Sequence, residues 1–391
     1  VNYMKKVFCF FLCLSMIFTT SFKVSGIDRL VKEAEGIAVN NSTVQSPSAD
    51  NLPIEIHAKS AILMEASSGE VLLQYNADEK LFPASVTKIM TMLLVAEAID
   101  ENKITLADKV ACSANAASKG GSQIWLEEGE EMTVDELLRA TAIGSANDAA
   151  TLLGEYVAGS EQGFIDMMNS RAKELGMNNT NFENATGLDD TTDTHLTTAR
   201  DIGIMSLELL KHDFITDYTT VWMDSLRNGE TELVNTNKLV RFYSGTTGLK
   251  TGTTAKAGCC VSASAKRDGL HLVAVVMGSA TSDERFNSAK AMLNWGFSNY
   301  VCFKPKIDTT SIEKIPVQKG KLLFVETEIP KVTSIALKKG EETGVVVKIE
   351  VDENLTAPIE KGQTLGVISI ETSSEKKYEY KITAKKEVEK L

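Results

Sequence analysis

The chain has little cysteine, six residues in 391. Two of these, Cys9 and Cys13, fall in the first apolar run, which leaves Cys112, Cys259, Cys260 and Cys302. Their spacing fits no zinc pattern. Cys259 and Cys260, adjacent on a predicted strand, point to opposite faces. No disulfide framework is indicated, and the thiols read as buried and free. Basic charge is also short: 41 Lys and Arg stand against 53 Asp and Glu, a net charge of −12. That balance excludes a nucleic-acid groove, which needs a basic footprint. The acidity lies in the first 300 residues, since 301–391 hold sixteen Lys against fifteen acids. The N-terminal apolar run, Val7 to Phe18, is too short to span a bilayer comfortably. Lys5-Lys6 precede it and small and polar residues follow through Gly26. Residues 1–26 therefore read as a signal peptide, with an uncleaved anchor as the alternative.

What is present divides into a large and a small unit. Residues 27–55 are mixed and polar and read as a linker. A hairpin is predicted from Ser60–Met64 and Val71–Tyr75 around Ala66-Ser67-Ser68-Gly69. From about 100 to 240 the pattern is mostly helical. Thr133-Val134-Asp135-Glu136 is a capping box. Ser145-Ala146-Asn147 breaks the chain before a helix that starts at Asp148. Further helices are predicted near Gln162–Leu175 and Thr198–Lys211. From Leu249 the period changes to strands, Leu249–Thr254, Cys259–Ala265 and Leu270–Met277, closed by a helix near Asp283–Trp295. Strands at both ends with helices between suggest one sheet made from both ends of the domain. Beyond Tyr300 the texture becomes short strands and turns, a small all-β domain without a catalytic constellation.

The segment Pro83-Ala84-Ser85-Val86-Thr87-Lys88 precedes a run, Ile89 to Ile99, that is apolar nearly all round and reads as a buried helix. On a helix, Ser85 and Lys88 share a face. Ser85 in the first turn would meet unpaired N–H groups and the positive end of the dipole. Burial and a second cation would push Lys88 toward a neutral amine able to take the Ser85 proton. Alone the motif is weak, because Ser-x-x-Lys occurs five times. Ser-x-Asn occurs at Ser145 and, in a predicted surface loop, at Ser113. Lys-Thr-Gly occurs once, at Lys250-Thr251-Gly252. The ordered set of helix start, inter-helix loop and strand is strong.

The stretch from Ala61 to Asp308 resembles the low-molecular-mass penicillin-binding proteins, serine-type D-alanyl-D-alanine carboxypeptidases. Besides the three motifs, the resemblance includes Gly187-Leu188-Asp189, His195, Thr198-Ala199-Arg200-Asp201 and Asn294-Trp295-Gly296-Phe297. It implies an α/β (α+β) fold with a β-lactamase/transpeptidase-like antiparallel sheet flanked by helices, an inserted helical subdomain and a small C-terminal all-β domain. The implied division is a catalytic domain at 56–300, a β-rich domain at 301–385 and a charged tail at 386–391. Ser85 then resembles the nucleophile, Lys88 its base and Ser145 a proton relay, with Asn147 bonding the substrate amide. Lys250, Thr251, Gly252, Thr253 and Arg285 resemble the substrate-binding set; Lys250, Thr251 and Arg285 face the terminal carboxylate. Backbone N–H groups of Ser85 and Thr253 match the oxyanion hole. His195 reads as structural, since the nucleophile already has a base. No metal or cofactor is implied. The implied partners are peptidoglycan pentapeptides and, as covalent inhibitors, β-lactams, outside the cytoplasmic membrane. The 178–197 loop shows no clear Glu-based deacylation motif, which disfavours the rival reading of a β-lactamase. A second rival is a wall-binding scaffold with a vestigial site. Membrane-surface association is left open: Tyr378–Ile382 runs into a charged end with too little apolar surface for an anchor.

Overall fold

The structure, a computed structural model, describes residues 37–39, 52–332 and 334–391. The leader-type segment 1–26 and most of the expected linker lie outside the described residues. The catalytic half is built on five antiparallel strands: β1 (Ser60–Glu65), β2 (Val71–Tyr75), β3 (Thr246–Thr254), β4 (Gly258–Arg267) and β5 (Leu270–Ser279). Their order is β2-β1-β5-β4-β3, so β1 from the start of the domain pairs with β5 from its end. Sequence order had suggested this closure. Strand β3, which carries the Lys-Thr-Gly motif, lies at the sheet edge.

Side chains alternate across the sheet with the strand period of two. Ile62, Met64, Val273 and Val275 join one core, which also holds the apolar residues of α1 (Lys88–Asp100). Ala61, Leu63, Leu272 and Ala274 join the other, with Phe286, Ala289, Met292 and Leu293. Every residue from Lys88 to Ala96 is buried, as its all-round apolar character requires. The inserted helical layer comprises α2 (Val134–Ala142), α3 (Asn147–Ala158) and α4 (Glu161–Glu174). The predicted capping box at Thr133 and Glu136 opens α2. Helix α5 (Ala199–Leu209) packs on β1, β5 and α1, and α6 (Ser282–Asn299) covers the opposite face of the sheet. No helix among the described residues is long and apolar enough to cross a membrane.

The C-terminal sheet runs, in spatial order, 314–316, 324–328, 377–384, 364–371 and 346–351. Three expectations need correction there. Residues Ile37–Val39, within the expected linker, form a strand on 378–380. Strand 324–328 pairs only with the 383–384 end of that neighbour, which leaves the 378–380 edge open. Residues 377–384, inside the expected β-rich domain but read there as short of apolar surface and not named as a strand, are an interior strand with alternate residues buried. The segment 386–391 is not a free charged tail. Val388 is buried and exchanges backbone hydrogen bonds with Ile359, and Leu391 N–H donates to the Lys319 carbonyl. Alternation of Lys and Glu on the solvent side masked the strand-like inner face.

The two units meet at the β1–β2 turn. The Glu65 carboxylate accepts the N–H groups of Ser67 and Ser68 and tightens that turn, while burial raises its pKa. Glu70 then accepts from Tyr378 O–H at 2.7 Å and pairs with Lys376. Helix α6 starts with a second capping box, Thr281 and Glu284, that was not anticipated. Thr281→Ala should lower unfolding stability by about 1 kcal/mol in urea denaturation, the usual weight of such a cap.

Candidate active site

The Ser85 turn differs in one respect from expectation. Residues Ala84–Thr87 form a 3-10 turn that leads directly into α1, so Ser85 stands just before the α-helix and not inside it. Its i,i+3 geometry still brings Lys88 back over Ser85. Ala84 holds the left-handed region at φ +49°, at a cost of about 1 kcal/mol for a residue with a Cβ. Strain of this kind gathers where side-chain direction matters.

Lys88 is fully buried, and its Nζ lies 3.0 Å from Ser85 Oγ, 2.6 Å from Asn147 Oδ1 and 3.0 Å from the Thr186 carbonyl. Burial pushes its pKa well below the ordinary lysine range. The neighbouring Lys250 charge pushes the same way, and the Asp148 carboxylate pushes back. Asn147 does not cap α3; the cap residue is Ala146, and Asn147 is the first helical residue. Its amide is already engaged at both ends, since Nδ2 donates to the Gly120 carbonyl at 2.6 Å. Its second Nδ2 N–H and the second lone pair of Oδ1 are the groups left for the expected contact to a substrate amide. Ser145 lies in the turn between α2 and α3, buried, at φ +61°. Among the described residues its hydroxyl has no protein partner.

Strand β3 passes on the other side. A Cβ added to Gly252 would stand 2.8 Å from Ser85 N and 2.7 Å from the Pro83 carbonyl. Only glycine lets the two backbones approach so closely. Lys250 is buried and bonded to the Thr251 carbonyl at 3.1 Å. Desolvation and then Arg285 lower its pKa to about 7. Thr251 O–H donates to Thr236 at 2.7 Å. Arg285, on the first turn of α6, is buried as well. It donates to the Gly252 carbonyl at 3.0 Å and to Thr253 Oγ1 at 2.9 Å. Its Nε has no partner among the described residues.

Sequence reasoning missed three parts. The Thr186 carbonyl is set by an Asn184 turn, in which Asn184 Oδ1 accepts the N–H groups of Thr186 and Gly187. Gly187, at φ +86°, lies against the Ala84 carbonyl, where a Cβ would come within 1.8 Å. Asn184-Ala185-Thr186-Gly187 is a legible turn signal, but nothing local ties it to Lys88. Asp148 is wholly buried and accepts the N–H groups of Ile124 and Leu126 at 3.1 Å each. The second Ser-x-Asn set is unrelated to the site: Ser113 caps a one-turn helix, and Asn115 bonds Glu155 and Glu161. His195 is structural. Its Nδ1 accepts Glu183 N–H, so Nε2 carries the proton and donates to Thr87 Oγ1 at 2.9 Å. Burial holds its pKa near 4.

Known proteins resemble this chain over most of its length. Residues 42–281 match the family model described as D-alanyl-D-alanine carboxypeptidase, and residues 304–390 match the C-terminal domain of penicillin-binding protein 5. The chain belongs to the D-alanyl-D-alanine carboxypeptidase family. It is 45% identical over 337 residues to the D-alanyl-D-alanine carboxypeptidase DacF of Bacillus subtilis, covering 85% of this chain and 86% of that one. Penicillin-binding protein 5 of Haemophilus influenzae superposes with a TM-score of 0.76 at 29% identity, over 87% of this chain and 100% of the other. The ampicillin-bound form of penicillin-binding protein D2 of Listeria monocytogenes gives 0.58 at 30% identity, over 63% and 100%. The protein is thus a serine peptidase, a hydrolase of the carboxypeptidase type, with the penicillin-binding protein fold.

The Gly252 contact can be tested directly. Gly252→Ala should drive β3 away from the Ser85 turn and lower kcat/KM for D-Ala release about a hundredfold, the usual cost of a 1 Å misplacement. Unchanged far-UV circular dichroism would accompany it, and near-normal turnover would contradict the close approach described above.

Proposed function

We propose that Ser85 attacks the carbonyl of the penultimate D-Ala of peptidoglycan pentapeptides, with neutral Lys88 as general base. The observation that carries the reading is the set of partners around Lys88 Nζ. Asn147 Oδ1 and the Thr186 carbonyl can each accept one N–H of a neutral amine. The remaining lone pair is then directed at the Ser85 hydroxyl. The Ser85 proton passes to Lys88 as the Oγ–C bond forms. The oxyanion develops beside the N–H groups of Ser85 and Thr253, donors of a type worth roughly 10²–10³ in rate. The C–N bond then breaks, and a proton reaches the departing D-Ala amine through the Ser145 hydroxyl. Water next cleaves the acyl-enzyme. Lys250, Thr251 and Arg285 hold the terminal carboxylate.

β-Lactams would acylate Ser85 in the same way, and their tethered leaving group would remain in the site. Slow release is expected. Among the described residues no carboxylate bonds Ser85 or Lys88. In the 178–197 loop Glu183 is held by the hydroxyls of Thr192 and Thr194, and Asp189 by Thr254. This favours a carboxypeptidase over a β-lactamase. A buried, desolvated base beside the nucleophile has no use in a passive wall-binding scaffold. The leader-type sequence at 1–26 supports action outside the cytoplasmic membrane.

A labelled penicillin should form a long-lived adduct that peptide mapping assigns to Ser85, and Ser85→Ala should lose it entirely. Label persisting in that variant would defeat the assignment. The pH profile gives a second test. Lys250 titrates near 7 in the free enzyme, so its positive charge is present below that pH and lost above it. KM for a D-Ala-D-Ala peptide should therefore rise as pH increases through about 7 to 8, and Lys250→Arg, which stays charged, should flatten the rise.

A further inference from the structure

The terminal carboxylate pocket lies on the β3 side of Ser85, so the rest of the substrate must leave over the opposite rim. That rim is Asn147 and the segment 118–126 folded around the start of α3. Asn147 donates through Nδ2 to the Gly120 carbonyl and through its backbone N–H to the Ser122 carbonyl, each at 2.6 Å. Gly121 is so close that a Cβ would meet Asn147 Nδ2 at 2.7 Å, with Leu188 of the facing loop at 3.5 Å.

From this anchored base the segment holds out one large apolar side chain. Ile124 and Leu126 are buried, and both donate N–H to the Asp148 carboxylate. Arg227 clamps the Ile124 carbonyl at 2.8 Å. Trp125 between them is 75% exposed and has φ +59°. A bulky residue in the left-handed region is disfavoured, and this one recovers little of the cost by burial. Its ring borders a cleft of about 440 Å³ that also presents Ser118, Lys119, Gln123 and Glu127. An exposed aromatic face beside amide, hydroxyl and charged groups suits an amphipathic peptide segment. The reach is right as well. Trp125 is four residues from Gly121, hence within about 14 Å of it, and three extended upstream residues span roughly 10 Å.

We propose that Trp125 and the cleft beside it form a subsite for the part of the stem peptide that precedes the terminal D-Ala-D-Ala pair. The ring lies against the backbone and long side chains of that segment, and Gln123 and Glu127 meet its polar groups. The subsite rests on the carboxypeptidase reading given above. It sets preference for long over short peptides and takes no part in the chemistry.

The test uses the full chain and three substrates: a tripeptide with a single residue before D-Ala-D-Ala, the free pentapeptide, and the pentapeptide linked to its disaccharide. D-Ala release gives the ratio of kcat/KM for pentapeptide over tripeptide. Trp125→Ala should lower that ratio about fivefold to tenfold, mainly through KM for the pentapeptide, and Trp125→Phe should restore most of it. A ratio unchanged in Trp125→Ala would overturn the subsite alone, provided the unsubstituted enzyme works on both peptides. A loss seen only with a disaccharide-linked pentapeptide would assign the ring to the sugar and overturn the peptide assignment. No D-Ala release by the unsubstituted enzyme from either peptide would overturn the carboxypeptidase reading together with the subsite.

Discussion

Three basic side chains buried in a row, Arg285, Lys250 and Lys88, set the terms for the rest of the molecule. None of them has a hydrogen-bonded carboxylate among the described residues. Desolvation of such groups is expensive, and each depresses the pKa of the next. Among the described residues a partial offset for Lys88 is the fully buried Asp148 carboxylate, itself committed to backbone N–H groups. A peptide ending in a free carboxylate supplies the missing counter-charge. The site is therefore least comfortable when empty, and this favours a substrate with that terminus over an internal peptide bond.

A site of this kind holds together only if its surroundings cannot relax. Rigidity here comes from backbone contact more than from side chains. Gly252 lets the edge strand touch the Ser85 turn, and Gly187 presses the opposite loop onto the Ala84 carbonyl. Both glycines occupy places where a methyl group would overlap main-chain atoms. Ala84 and Ser145, held in the left-handed region, fix the exits of their side chains from the turn. Behind them, α1 is buried on all faces, so the turn carrying Ser85 is braced by a core that spans the helical layer and the sheet. Helix α6 adds Arg285 from the far face, threading it to the Gly252 carbonyl.

How much of this the sequence disclosed follows from how local each feature is. Ser85 and Lys88 were legible because a separation of three needs only one helical turn, and a 3-10 turn satisfies it as well as an α-helix. The Lys250 strand was legible from its period and its single Lys-Thr-Gly. That one sheet joins both ends of the domain followed from strands at both ends; the order of its strands did not. Asn147 was placed correctly but its engagement was not, because the partner carbonyl of Gly120 comes from a loop with no periodic signal. Asp148 read as an ordinary helix-start acid, since nothing in sequence tells a buried carboxylate from a solvated one. The C-terminal strand 377–384 was hidden because charged residues on its outer face diluted an inner face of Tyr378, Tyr380 and Ile382.

In the proposed mechanism the two lysines face opposite demands in one desolvated space: Lys88 has to be neutral to accept a proton, and Lys250 charged to hold an anion. Burial alone would neutralise both. Their neighbours separate them. Lys88 has two acceptors that a neutral amine satisfies with its two N–H bonds, so losing its proton leaves no acceptor orphaned. Among the described residues Lys250 has one acceptor, the Thr251 carbonyl, which leaves spare donors for an anion. Entry of a carboxylate stabilises the ammonium form of Lys250 at pH values where the empty site would release the proton. That retained charge keeps Lys88 on the neutral side of its titration. Substrate binding at one end of the cleft thereby maintains the base at the other, and the coupling needs no movement of the chain.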